Sequence, residues 1–175
     1  MARLGMLRTW VFAVVTVIAA GAVVFSLRAL PAEASGLGST LKPFSLADQN
    51  GTSHTIDERV HVIILTRDMA AGDMMKSALG SNGKSLLANH QAVYVTDVSG
   101  MPGFVRNLIA VPKLKERPYP MLLDTSGDVS AKLPSKDKHA TLIFLDKLQI
   151  TAVEYLTNPN SLAPALEAPK RFAAH

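Results

Sequence analysis

Cysteine is absent from all 175 residues of the chain. Without a thiol the protein can neither form a disulfide nor present a thiolate nucleophile, so thiol–disulfide exchange and thiol-peroxidase chemistry are excluded. Charged residues are also scarce, at 18%, and aromatic residues make up 6%. No stretch interleaves basic with aromatic side chains, so nothing in the sequence supports nucleic-acid binding.

One long hydrophobic run is present, and it lies at the N-terminus. Two arginines precede an uncharged, mostly apolar run from Trp10 to Leu27, and a proline follows it. This order is typical of an export signal, and a small-x-small pattern ending at Ala34 predicts cleavage before Ser35. The run is also just long enough to span a bilayer. The sequence therefore predicts a cleaved signal peptide or an uncleaved membrane anchor over residues 1–34.

Either alternative places the rest of the chain outside the cytoplasm, because the positive end of the run stays inside. We expect a periplasmic domain, or a domain anchored in the inner membrane and facing the periplasm. The Gly/Ser-rich residues 35–41 are predicted to form a tether, and residues 42–172 a single domain. Beyond residue 34 the chain carries 15 basic and 13 acidic residues, a net charge of +2 that identifies no partner.

Hydrophobic periodicity predicts strands that alternate with helices. The strands are expected over residues 44–47, 52–56, 60–65, 92–98, 119–123, 129–133, 141–145 and 150–156, and the helices over 70–79, 84–90 and 102–114. A last amphipathic helix is expected to be capped by Ser161 and to run through Leu162 and Leu166 towards Phe172. This order indicates an α/β mixed sheet flanked by helices, with an N-terminal β-hairpin turning at Asn50-Gly51.

Three stretches resemble redoxin-type proteins of the thioredoxin fold. Residues 42–51 resemble the opening of that family, residues 119–127 its late strand and Asp-x-x-Gly turn, and residues 141–146 the strand that follows its cis-proline. The resemblance covers roughly residues 41–168 and implies a thioredoxin-like mixed sheet. A looser resemblance links the chain to cysteine-free, exported thioredoxin-like proteins of the YtfJ type.

The resemblance also shows which catalytic devices of the family this chain lacks. It places the redox motif Cys-x-x-Cys at Ala70, Ala71, Gly72 and Asp73, and the cis-proline at Ala140. Neither the cysteines nor the proline is present. The resemblance therefore implies the fold of a redoxin without its activity.

We therefore expect a redox-inactive module that binds another envelope protein. Ligands of open α/β sheets gather where the loops meet at one end of the sheet. The expected contact surface at that end consists of Arg67, Met69, Met101, Phe104 and His139. A membrane contact is expected through the N-terminal segment if that segment is uncleaved.

Two alternatives use the same loops. Thioethers and an imidazole suit Cu(I) in an exported protein, and the candidate ligands are Met69, Met74, Met75 and His139. A carboxylate beside an imidazole also serves acid–base catalysis, so Asp68 or Asp73 with His139 would support a redoxin-like enzyme of non-thiol chemistry. Asp73 has a structural explanation too, as an acidic residue in the first helical turn.

Overall fold

The computed structural model describes residues 35–168. The predicted signal peptide or anchor, and Phe172 of the predicted last helix, lie outside the described residues. Between residues 35 and 168, no helix has both the length and the apolar character needed to cross a membrane.

Strands and helices alternate along the described chain, as predicted. The strands are β1 (Phe44–Ala47), β2 (Ser53–Ile56), β3 (Val62–Thr66), β4 (Ala92–Asp97), β5 (Leu122–Asp124), β6 (Ala140–Asp146) and β7 (Gln149–Leu156). The helices are α1 (Met69–Leu79), α2 (Gly83–Asn89), α3 (Gly103–Val105), a π-helical turn (Arg106–Ala110), α4 (Val111–Lys115) and α5 (Leu162–Glu167).

Five strands form one mixed sheet in the order β5-β4-β3-β6-β7. Strands β3, β4 and β5 run parallel, whereas β6 and β7 are antiparallel to their neighbours. Every residue of β3 is buried, because its continuous β-branched and aliphatic run suits a strand covered on both faces. Val62 and Ile64 pack with the helices α1, α2 and α5, while Ile63 and Leu65 pack on the hairpin side.

The N-terminal hairpin β1-β2 is docked onto the edge strand by a buried glutamine. The Gln49 side chain donates to the carbonyl of Tyr119 at 2.9 Å and accepts from the backbone N–H of Met121 at 2.8 Å. The Gln49 side chain thereby makes hydrogen bonds of the kind that a neighbouring strand would make to the backbone leading into β5. The sequence indicated a hairpin turn here but not this docking role.

Residues 35–41, expected to be a tether, are hydrogen-bonded to the domain. The backbone N–H groups of Ser35, Gly38 and Leu41 donate to carbonyls of Lys132, Ile150 and Leu148 at 2.7, 2.8 and 2.9 Å. Leu41 is also buried in the core on the hairpin side. The described chain is therefore attached to the domain from its first residue.

The residues from Gly103 to Lys115 form one continuous helical stretch, which we call the helical segment 103–115. Its middle widens into a π-helical turn, with the N–H of Val111 donating to the carbonyl of Arg106. Pro112 explains the widening, because it has no N–H and its ring clashes with the carbonyl four residues earlier. The irregularity of this helical stretch therefore has a local cause in the sequence.

Three local predictions are wrong. Residues 129–133 form no strand; Ser130–Lys132 is a 3-10 helix instead. Ser161 makes no side-chain cap, and the Asn158 side chain caps the preceding 3-10 turn by accepting from the N–H of Asn160. Asp73 lies beyond the first turn of α1, which contains no acidic residue.

Candidate functional site

A cleft of about 1040 Å³ opens at the carboxyl ends of β3 and β4. Its walls are the N-terminal part of α1, the loop after β4, the helical segment 103–115 and the loop that leads into β6. This is the end of the sheet where ligands of α/β proteins commonly bind. The loops predicted from sequence to meet do so here.

The positions of the absent redox motif lie at the start of α1, on one wall of the cleft. Ala70 and Asp73 are exposed, Gly72 is half-buried, and Ala71 is completely buried. The helix is capped by Asp68, whose carboxylate accepts from the N–H of Ala71 at 2.9 Å. Helix N-terminal amides would stabilise a thiolate at this place, and here they are directed at a carboxylate.

Asp68 also holds the facing loop. Its second carboxylate oxygen accepts from the backbone N–H of Lys138 at 2.7 Å. Lys138 has a φ of 60°, in the left-handed region that a non-glycine residue rarely adopts. Ala140, at the expected cis-proline position, follows as the first residue of β6 and is completely buried. One carboxylate therefore joins the two segments that carry the redox apparatus in the resembling family.

Arg67 makes a second link across the same rim. Its guanidinium donates to the Asp97 carboxylate at 3.2 Å, at the end of β4, and to the Ser135 hydroxyl at 3.1 Å. Asp97 is nearly buried, and its other oxygen accepts from the N–H and hydroxyl of Ser99 at 2.9 and 2.6 Å. Arg67 thus helps to fix the rim and has less freedom to bind a partner than an unpaired arginine would have.

Tyr94 and Thr96 form part of the cleft floor, and their hydroxyls meet that of Thr66, which is buried beneath it. The Thr66 and Tyr94 hydroxyls lie 3.1 Å apart, and the Thr66 hydroxyl donates to Thr96 at 3.3 Å. Burial raises the pKa of the Tyr94 phenol well above its usual value. Tyr94 therefore stays neutral and serves as a hydrogen-bonded floor, not as a base.

Four cations on the cleft wall, Lys138 among them, lack an acidic partner within residues 35–168. Lys76 lies on α1, Lys113 on α4, and Arg117 just beyond α4. None of them forms an ion pair with any residue between 35 and 168. The convergence of Lys113 and Arg117 with Lys76 depends on tertiary structure.

The five residues of the expected contact surface divide between two places. Arg67, Met69 and Met101 line the cleft. Phe104 is exposed but does not line it. His139 also lies outside the cleft, with its ring edge-on to Tyr155 at 6.3 Å between centroids and its Nδ1 2.6 Å from the Asp137 carbonyl oxygen.

The candidate copper ligands lie in different environments. Met75 is completely buried in the helical-side core and Met74 packs against it, whereas 79% of Met69 is exposed. His139 packs against Tyr155. Within the described part of the chain, no three His, Asp or Glu side chains converge on a point that would hold a metal ion. For the acid–base alternative, Asp68 lines the cleft but both its oxygens accept backbone N–H groups.

Comparison with known proteins identifies the fold. No protein-family model and no curated protein matches the chain. A solved candidate protein disulfide isomerase from Bacteroides thetaiotaomicron matches with a TM-score of 0.52 and 16% identity, covering 75% of this chain and 86% of that one. The looser YtfJ-type resemblance has no support among these comparisons.

Two further solved structures match at lower TM-scores. Peroxidoxin BcpB from Mycobacterium tuberculosis matches at 0.49 with 20% identity, over 74% of this chain and 94% of that one. StoA from Bacillus subtilis matches at 0.49 with 16% identity, over 72% and 97%. The protein thus has the thioredoxin-like fold of the redoxins, in a chain without cysteine, as the sequence predicted.

Proposed function

We propose that this protein is a redox-inactive, exported module that holds a segment of another envelope protein in the cleft beside α1. The observation that carries the proposal is that the cleft lies against the start of α1 although the chain has no thiol. Because the chain has no thiol, the cleft beside α1 has no role in thiol chemistry and can serve as a binding surface. The pattern of the first 34 residues supports the exported location.

The cleft wall favours a particular kind of segment. Met69, Met101 and Leu114 contribute apolar surface, and thioether side chains adapt to partners of different shape. Lys76, Lys113 and Arg117 add cations with no acidic partner among residues 35–168. We therefore expect the bound segment to be mainly apolar and to carry at least one carboxylate.

The rim is held in place before any partner binds. Asp68 and Arg67 each join the β3-α1 junction to the loop before β6. A preorganised rim reduces the conformational entropy that is lost on binding. This favours a binding surface over a loop that must rearrange for each partner.

Site-specific photo-crosslinking in the native envelope tests the proposal. A photoreactive residue at Met101 or at Gly72, both in the cleft, should capture the same protein. The same residue at Ser81, which is exposed in the α1-α2 connection, should not capture it. Capture of different proteins from the two cleft positions, or equal capture from Ser81, would contradict the proposal.

Charge reversal tests the expected chemistry of the captured segment. The pair Lys113→Glu and Arg117→Glu should reduce crosslinking at Met101 at least tenfold, because two favourable interactions with a carboxylate become repulsive. Lys84→Glu changes an exposed lysine on α2 by the same charge and should leave capture unchanged. Equal losses of crosslinking from the Lys113/Arg117 pair and from Lys84→Glu would show that only the net charge of the protein affects capture.

A further inference from the structure

The cleft is closed on the side of α2 by the ring of Tyr119, which precedes β5. This side chain is 3% exposed and lines the cleft. Gly83, the first residue of α2, packs against the ring so closely that a Cβ there would overlap it. No residue of α2 lines the cleft, so the ring separates the cleft from that helix. We call this part, lined by Leu114, Arg117 and Tyr119, the closed end. A bound chain can reach it from the rim but cannot continue towards α2.

The Tyr119 hydroxyl is a donor without a hydrogen-bond partner among residues 35–168. Its ring centroid lies 6.3 Å from that of Tyr94, whose hydroxyl is already engaged. Thr66 gives its own proton to Thr96, so the Tyr94 hydroxyl donates to Thr66. Tyr119 is then the phenol of this pair whose proton is available. A buried polar group without a partner costs free energy that a bound acceptor recovers.

The charge at the closed end favours an anion as that acceptor. Burial raises the pKa of both the Tyr119 and the Tyr94 phenol, whereas the nearby Arg117 guanidinium lowers both. Burial outweighs the arginine, so Tyr119 stays protonated and can donate. The backbone N–H of Arg117 donates to the Leu114 carbonyl at 3.0 Å, which holds the arginine at the end of the helical segment. Lys113 lies one turn earlier and also lines the cleft.

The carboxylates of the cleft leave the closed end free for an anion. The acids that line the cleft are Asp68, Asp73, Asp97 and Asp137. Asp68 and Asp97 are bound at the rim, to backbone N–H groups and to Arg67 respectively. Asp73 acts on the Tyr94 phenol, whereas Arg117 is the charged group that acts on Tyr119. A cation and an available donor therefore meet at the closed end, away from the paired carboxylates of the rim.

We propose that the closed end binds the C-terminal carboxylate of the partner chain, an inference that rests on the proposed function. Tyr119 donates to one carboxylate oxygen and Arg117 neutralises the charge. A terminal carboxylate is attached directly to the backbone, so only the last residue of the partner must enter. An internal Asp or Glu would require the chain to run on past Tyr119, where α2 lies. At about 1040 Å³ the cleft is large for a single small ligand, so it has room for several preceding residues as well.

Peptide binding to the full-length chain in detergent, followed by fluorescence anisotropy, tests the inference. The probes are three pools of labelled hexapeptides built from alanine, leucine, methionine and phenylalanine. One pool has a free C-terminal carboxylate, the second a C-terminal amide, and the third a C-terminal amide with one internal glutamate. The carboxylate pool should bind about tenfold more tightly than either amidated pool, because only its members bring an acceptor to the closed end.

Two substitutions assign the effect to the closed end. Tyr119→Phe removes the hydroxyl and keeps the ring against Gly83, and it should weaken binding of the carboxylate pool about tenfold. Arg117→Gln should weaken the same pool, and neither change should affect the amidated pools. Tyr155→Phe removes a hydroxyl from a tyrosine that does not line the cleft and should change nothing. The inference is overturned if the carboxylate pool binds no more tightly than the amidated pools, or if Tyr119→Phe weakens all pools alike.

Crosslinking separates this inference from the proposed function. A photoreactive residue at Leu114, beside the closed end, should capture a partner fragment that includes the last residue of the partner chain. Capture of an internal segment would overturn the C-terminal assignment and leave the proposed function standing. Failure of Met101 and Gly72 to capture a common protein would overturn both.

Discussion

Asp68 and Lys138 lie 70 residues apart in sequence and are joined by a 2.7 Å hydrogen bond from the lysine backbone to the aspartate carboxylate. The same carboxylate caps α1 through the N–H of Ala71. A single side chain therefore organises both segments at which the resembling redoxins carry their cysteines and their cis-proline. Removing the Asp68 side chain should therefore destabilise the rim of the cleft more than it destabilises the sheet.

We expect Asp68→Ala to lower the free energy of unfolding by about 2–3 kcal/mol, because a helix cap and a charge-assisted hydrogen bond are lost together. Hydrogen exchange should show faster exchange at Lys138 and Ala71 than at residues of β3. Asp73→Ala removes an exposed carboxylate from the same helix and should cost less than about 0.5 kcal/mol. Equal effects of the two changes would contradict the structural role of Asp68.

The fold could be predicted where the local pattern and the tertiary environment agree. The continuous apolar run of β3 can be satisfied only by a strand covered on both faces, and residues 62–66 form that strand. The hairpin turn and the irregularity at Pro112 have local causes as well. In each case a short stretch of sequence contains the whole physical reason.

The wrong strand over residues 129–133 shows the limit of that reasoning. Val129 and Leu133 are apolar, and an extended chain would place both side chains on the same face of a strand. The Asp124 carboxylate instead accepts from the backbone N–H groups that an extended chain would direct elsewhere. The bond between Asp68 and Lys138 is equally invisible in sequence, because its donor is a backbone N–H and any residue could supply it.

Acid unfolding should report on Asp124. Burial by itself raises the pKa of this carboxyl, but hydrogen bonds from the Ser130 and Gly127 backbones outweigh burial, and the pKa lies below its usual value. A lowered pKa in the folded state stabilises the protein above the unfolded pKa of about 3.9, and that stabilisation disappears as pH falls through the folded pKa.

Asp124→Asn should therefore cost about 2–3 kcal/mol at pH 7, because buried N–H groups lose a charged acceptor. The variant should also lose less stability than the parent protein between about pH 4 and pH 2. Urea unfolding followed at several pH values measures both effects. Parallel pH profiles for the two proteins would mean that Asp124 is not stabilised as a carboxylate.

Thr141 offers a stabilising substitution. Its hydroxyl is completely buried and has no hydrogen-bond partner among residues 35–168. It lies opposite Leu65 in the sheet and points to the same side as Ile143, into an apolar core. Thr141→Val should raise the free energy of unfolding by about 1 kcal/mol, because a buried, unpaired hydroxyl is replaced by a methyl group.

Thr151 provides the matched control for that substitution. Its hydroxyl donates to the carbonyl of Phe144 at 3.2 Å, so Thr151→Val removes a hydrogen bond that exists and should be destabilising by about 1 kcal/mol. Thermal unfolding of the two variants should move in opposite directions. A loss of stability in Thr141→Val would indicate that its hydroxyl has a partner after all, such as an ordered water.

Two glycines should respond in opposite ways to the same added methyl group. A Cβ at Gly83, the first residue of α2, would overlap the buried Tyr119 ring and lie 2.9 Å from Leu79 Cβ. Gly83→Ala should therefore cost about 1–2 kcal/mol despite the better helix propensity of alanine. A Cβ at Gly72 in α1 would meet nothing within 4 Å, so Gly72→Ala should gain up to about 1 kcal/mol. Chemical denaturation of the pair checks the packing of α2 against Tyr119.

A Cu(I) titration separates a binding module from a metal carrier. We expect no stoichiometric binding, because Met75 is completely buried in the core and α1 would have to unfold to present it. Met69 alone is largely exposed, and the Nδ1 of His139 lies 2.6 Å from the Asp137 carbonyl. One thioether and one imidazole nitrogen provide too few soft ligands for a selective site. Native mass spectrometry would contradict this expectation if it found one copper per chain that is lost in both Met69→Leu and His139→Gln.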